Sequence, residues 1–109
     1  MEAPKFKSQS TYWVEQGYKY KGDDYWEWWV WLEAKGEALD KIDYVTYVLH
    51  PTFYNPRRDM RNRKSKFLLE ASGWGTFTLY VKVHLKNGEE LHLEHELHLE
   101  YPNGTETTA

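Results

Sequence analysis

Four tryptophans stand within the eight residues Tyr25-Trp26-Glu27-Trp28-Trp29-Val30-Trp31-Leu32, and no other stretch restricts the fold as much. Large rings suit the half-buried, pleated surface of a strand, and so dense a run of them argues against a buried helix. Gly22 and Gly36 bound the run, which predicts a strand buried on much of both faces. The wider composition agrees: 109 residues hold six Trp, nine Tyr and four Phe, most of them expected to be core.

The neighbouring segments read the same way. Residues 12–20 predict a strand that ends in the turn cluster Lys21-Gly22-Asp23-Asp24. Residues 42–50 alternate, with Val45, Tyr47 and Leu49 on one face. Residues 51–64 read as a long loop with Pro51, Pro56 and a basic cluster. Residues 66–71 predict a short strand, interrupted by Ser72-Gly73-Trp74-Gly75. The cleanest alternation follows, with Phe77, Leu79, Val81, Val83 and Leu85 on one face and Thr78, Tyr80, Lys82, His84 and Lys86 on the other. No segment sustains a helical period.

The last hairpin can be registered from side-chain chemistry. Its second strand sets Leu91, Leu93, His95, Leu97 and Leu99 against Glu90, His92, Glu94, Glu96, His98 and Glu100. A two-residue Asn87-Gly88 turn would place every leucine beside a polar residue of the partner strand. A three-residue loop, Lys86-Asn87-Gly88 with Gly88 at positive φ, opposes Val83 with Leu91 and Val81 with Leu93. The three-residue loop is therefore predicted.

Short strands joined by Gly, Pro and Asn turns predict an all-β, immunoglobulin-like β-sandwich of two antiparallel sheets. The expected organisation is a flexible lead-in over residues 1–10, a sandwich over 11–102 and a disordered tail over 103–109. The absence of cysteine excludes disulfides and thiol chemistry. A net charge of −3 is too small to draw the domain to polyanions or membranes, so no specific nucleic-acid partner is expected. No run approaches membrane-spanning length, and the start has no apolar targeting segment, so a soluble domain is expected.

Candidate chemistry is sparse. His84, His92 and His98 fall on the polar face of the hairpin among glutamates, with His84 and His92 diagonal to each other. Zinc would need a third ligand and oriented outer partners, so the pattern reads as a solvated face, with no metal and no cofactor expected. His95, on the apolar face, is expected to be a hydrogen-bonded buried or rim histidine. Ser72-Gly73-Trp74-Gly75 is not a nucleophile elbow, because no helix follows it, and the glutamates form no paired cleft. Enzymatic activity is not expected. Arg57, Arg58, Arg61, Arg63, Lys64 and Lys66 read first as a solvated basic loop.

Two loops are different. Leu49-His50-Pro51-Thr52-Phe53 and Ser72-Gly73-Trp74-Gly75 each carry a large ring at a strand end with no obvious core role, and glycine beside such a ring lets backbone approach a ligand. From the residues alone a binding slot and simple loop packing stand equal.

At these positions the sequence resembles YEATS domains. The resemblance is carried by Leu49-His50-Pro51-Thr52-Phe53, Asn55-Pro56-Arg57 and Gly73-Trp74-Gly75-Thr76-Phe77, with Glu27 to Leu32 similar to the family's tryptophan strand. It covers residues 25–101 and is closest to the compact prokaryotic branch. It implies a module that reads acetyl- or crotonyl-lysine. By position, Phe53 and Trp74 would sandwich the acyl-amide, Thr52 would bond its amide, and His50 would line and brace the slot. Gly73 and Gly75 would keep room around Trp74, and Tyr25 is the nearest match to a further aromatic wall. The implied partner is an acylated peptide or protein, met by a monomeric domain of a larger protein. The compartment would be the cytoplasm for the prokaryotic branch and the nucleus for a eukaryotic reader. Two alternatives stay open: an interaction domain of a larger bacterial signalling protein that binds no acyl-lysine, and a small-molecule sensor.

Overall fold

The tryptophan run pairs on both of its edges, and the rest of the domain is arranged around it. The computed structural model describes residues 11–106. Strand β1 (Tyr12–Gly22) turns into β2 (Tyr25–Ala34), and β2 pairs on its other edge with β5 (Leu69–Gly73). The second sheet is four-stranded, in the order β4 (Arg57–Met60), β3 (Ile42–Val48), β6 (Thr78–Leu85) and β7 (Glu90–Glu96). All pairings are antiparallel, and short 3₁₀ turns are the only helical segments among the described residues. The two-sheet sandwich expected from the sequence is the fold observed. The lead-in assigned to residues 1–10 lies outside the described residues, as do residues 107–109 of the expected tail. Residues 103–106 fold back in a turn, with Glu100 bridged to Glu106.

Alternation decides what is buried. From β2, Trp26, Trp28, Val30 and Leu32 face inward and meet Val45 and Tyr47 of β3 and Leu79, Val81 and Val83 of β6. Two of the polar groups carried inside are matched: the Trp26 indole donates to the Glu100 carbonyl at 2.8 Å, and the Tyr47 hydroxyl donates to the Phe67 carbonyl at 2.8 Å. Burial pushes the Tyr47 phenol up, so it remains a donor. His95 is half-buried with Nε2 2.6 Å from Gln16 Oε1, the hydrogen-bonded rim histidine expected. The hairpin register is also as derived, with Val83 opposite Leu91, Val81 opposite Leu93, and Gly88 at φ +94°.

Three expectations need correction. The 51–64 segment is not all loop, because Arg57–Met60 pairs with β3 as an edge strand. Its sequence, Arg-Arg-Asp-Met, has no apolar alternation, and charged side chains are what protect a sheet edge from pairing further. The strand expected at 66–71 begins at Leu69, because Lys66 and Phe67 are held at φ +58° and +60° and cannot be extended. Ser72 and Gly73 then continue that strand instead of interrupting it. Lastly, only one face of β2 is fully buried: Trp29 and Trp31 lie half-exposed on the outer face.

The outer face of the four-stranded sheet hides one hydroxyl. Thr46 is fully buried, donates to Asp59 Oδ1 at 2.6 Å and lies 3.1 Å from His84 Nε2. That bond, then Arg57, holds the Asp59 carboxyl below the usual range. The folded carboxyl titrates lower than an unfolded one, so its contribution is complete above about pH 4 and is lost as pH falls through the folded value. Thr46→Val leaves two polar groups without their hub and is expected to cost about 1–2 kcal/mol at neutral pH, with a smaller further loss on acidification. Urea midpoints at neutral and acidic pH test this; an unchanged neutral midpoint would sink it.

Candidate functional site

The two loops singled out in the sequence meet at one end of the sandwich. The first leaves β3 and is closed at its neck by the Leu49 N–H donating to the Pro56 carbonyl at 2.8 Å. Inside it, the Phe53 N–H donates to the His50 carbonyl at 3.0 Å, which makes a tight turn at the tip. The Thr52 N–H points at His50 Nδ1 at 3.2 Å, and the Thr52 hydroxyl lies 2.9 Å from the same nitrogen. With Nδ1 accepting, the Thr52 hydroxyl donates inward and keeps its lone pairs outward. Arg58 clamps the far side, donating to the Asn55 and Tyr54 carbonyls at 2.6 and 2.8 Å. Asn55 sits at φ +49°, a conformation that asparagine tolerates better than most residues.

The second loop runs from β5 to β6 and carries Trp74, which is 66% exposed. A groove of about 450 Å³ lies between the loops. It gathers His50, Thr52 and Phe53 from the first loop and Gly73, Trp74 and Gly75 from the second, so all six candidates share one cavity. Tyr54, Ser72, Thr76 and Phe77 also line it. Phe77, which sequence reasoning placed in the core alternation, packs against the core and also lines the groove.

The two rings are held by different neighbours. Phe53 packs edge-on against Trp28 at 6.2 Å and tilted against Phe77 at 5.4 Å, so its orientation is set by the core. Trp74 lies 6.5 Å from Tyr25, tilted by 30°, and the Tyr25 and Ser72 hydroxyls share a hydrogen bond of 2.9 Å. Tyr25 therefore props Trp74 from outside and does not line the groove. Among the described residues Phe53 and Trp74 make no ring contact with each other. A Cβ at Gly73 would come 3.7 Å from Phe53 Cζ, so any larger side chain there would grow against the ring.

The other candidates are committed elsewhere. Arg57 pairs with Asp59 at 3.4 Å, Arg63 with Asp40 at 2.8 Å and Lys66 with Glu33 at 3.0 Å. Arg61 covers the Tyr44 ring at 4.1 Å, and Arg58 is the loop clamp, so most of the basic cluster is spent locally. His84 and His92 both turn to Glu90, at 3.4 and 2.5 Å. The one group of possible metal ligands among the described residues is a different one: His98, Glu100 and Glu106, with donor atoms within 4.8 Å of one another. No described helix is long and apolar enough to cross a membrane.

Known proteins resemble this chain in sequence and in fold. The sequence profile of the prokaryotic YEATS domain matches residues 26–98. Transcription initiation factor TFIID subunit 14 of Schizosaccharomyces pombe is 41% identical over 73 residues, which cover 63% of this chain and 29% of that protein. The chain thus spans less than a third of that relative's length. The Yaf9 YEATS domain recognising an H3K122suc peptide superposes with a TM-score of 0.62 at 24% identity, over 81% of this chain and 70% of that one. The Yaf9 YEATS domain bound to H3K27ac gives 0.61 at 23% identity, over 86% and 72%. At those identities the likeness is one of fold, while the profile match extends through both loops of the groove. The chain belongs to the prokaryotic YEATS domain family.

Proposed function

We propose that the chain is a recognition module that binds an acylated lysine, acetyl or crotonyl, in the groove between the two loops. The observation that carries this reading is the convergence of His50, Thr52, Phe53 and Trp74, from loops of different sheets, on one cavity. A flat amide between two rings buries apolar area on both faces and leaves its edge for hydrogen bonds. The lone pairs of Thr52 accept the amide N–H, and the Trp74 backbone N–H serves the acyl carbonyl. Gly73 and Gly75 leave room for the chain to enter. Unmodified lysine is rejected because its ammonium would lose water without gaining a counter-charge. The solved Yaf9 YEATS domains carrying H3K122suc and H3K27ac support the same class of ligand.

The partner is an acylated peptide or protein, with no cofactor, no specific nucleic acid and no catalysis. The setting is a monomeric domain of a larger cytoplasmic protein. A second reading has its own support. Tyr54 is 86% exposed beside Trp74, and uncovered rings at a rim also suit docking of a neighbouring domain without any acyl group.

Titration with acetyl-lysine, crotonyl-lysine and unmodified peptides, followed by tryptophan fluorescence or amide shifts, separates the two. Saturable binding confined to the acylated peptides is the expected result. No binding at millimolar peptide by a folded domain would reject the reader and favour docking.

A further inference from the structure

The outer face of the three-stranded sheet carries a charge pattern that the groove does not use. Trp29 stands there between Gly17 of β1 and Glu70 of β5. A Cβ at Gly17 would sit 2.4, 2.5 and 2.7 Å from Trp29 Nε1, Cε2 and Cζ2. The outer Nε1–Cε2–Cζ2 edge of the indole thus occupies the space that a side chain at position 17 would need. The ring therefore lies over bare backbone and stays half-exposed.

Two carboxylates flank it. Glu70 is directly opposite Trp29, and Glu27 is two residues along β2, opposite Ser72. Both are exposed, and neither has a hydrogen bond or ion pair among the described residues. The other acids of this face are occupied: Glu15 accepts from the Trp13 indole at 2.8 Å, and Glu33 holds Lys66 at 3.0 Å. Lys19 is in register with Glu27 but makes no ion pair with it.

We propose that this patch receives a lysine or arginine side chain of the same polypeptide whose acyl-lysine enters the groove. The cation lies over Trp29, between Glu27 and Glu70. The proposal rests on the acyl-lysine reading above. An aromatic face attracts a cation, and two unpaired carboxylates complete its charge. The surface is also continuous with the groove. Tyr25 begins β2 and meets Trp74 at the rim, so a peptide leaving the groove past Tyr25 runs onto this face. From Tyr25 to Trp29 the strand advances by roughly 13 Å, a span that an extended peptide covers in about four residues. Counting the further 6.5 Å from Trp74 to Tyr25, about two residues, the preferred ligand has a basic residue about six positions from the acyl-lysine.

The test compares crotonyl-lysine peptides with arginine or alanine at that position, against the parent domain and a Glu27→Gln/Glu70→Gln variant. Arginine is expected to improve parent affinity about five- to tenfold, with the gain reduced by salt and absent in the variant. Both proteins should bind the alanine peptide equally. A gain under about twofold, or one that survives in the variant, overturns the proposal. Should neither protein show acyl dependence, the arginine peptide without the acyl group decides. Binding weakened by the double substitution keeps the cation site and rejects only the groove reading; equal or absent binding overturns the site as well.

Discussion

Trp74→Ala is expected to weaken binding of an acetyl- or crotonyl-lysine peptide by about 100-fold and to leave the unfolding midpoint almost unchanged. Trp74 supplies one wall of the groove and is 66% exposed, so the core does not depend on it. Its structural contact is the tilted one with Tyr25, and removing an exposed ring of that kind costs within roughly 0.5 kcal/mol of stability. Truncating an aromatic anchor of a binding site typically costs about 2–4 kcal/mol, and each 1.4 kcal/mol is tenfold in affinity. Paired titration and thermal melts check both halves. Affinity lowered by less than about fivefold would show that Trp74 is a bystander. A large drop in the melting point would show that it is part of the fold.

The opposite separation is expected of Trp28→Ala. Trp28 is 1% exposed and lies edge-on to both Phe53 and Phe77. Deleting a buried indole leaves a cavity and costs about 3–5 kcal/mol, a large share of the 5–15 kcal/mol that holds such a domain together. Binding should fail too, because Phe53 loses the surface that fixes it. Trp28→Phe is the instructive control. The indole N–H is the one buried side-chain polar atom without a partner among the described residues. Phenylalanine removes that group along with some volume, so the expected loss is below about 2 kcal/mol. Urea unfolding of the three proteins decides, and an alanine variant within about 1 kcal/mol of the parent would refute the packing argument.

Much of this was legible in the chain. The alternation of β6 and β7 gave the hairpin register, because a one-residue slip would have set leucines beside glutamates. From residue types alone the two loops read equally as a slot or as packing, and the resemblance to YEATS domains is what favoured a slot there. What escaped depended on neighbours distant in sequence. β4 forms because β3 offers an edge, and nothing in Arg-Arg-Asp-Met announces that. The clamp made by Arg58 is a contact with carbonyls that any residue could supply, so its side chain read as another surface cation. Nothing in residues 12–20 marks Gly17, although its missing Cβ is what leaves room for the Trp29 ring.

The two walls of the groove grow from different sheets: Phe53 follows β3 of one, and Trp74 follows β5 of the other. The domain is built like a caliper. Its jaw opening is inherited from the spacing of the sheets, about 10 Å in sandwiches generally, and that spacing is set by side chains lying well away from the ligand. Swapping a single methyl-sized group among Val30, Val45 and Val81 would adjust the gap at the tips without touching either jaw. Acyl-chain preference could thus be tuned from the middle of the core, and a ligand gripped by both jaws would in turn fasten one sheet to the other.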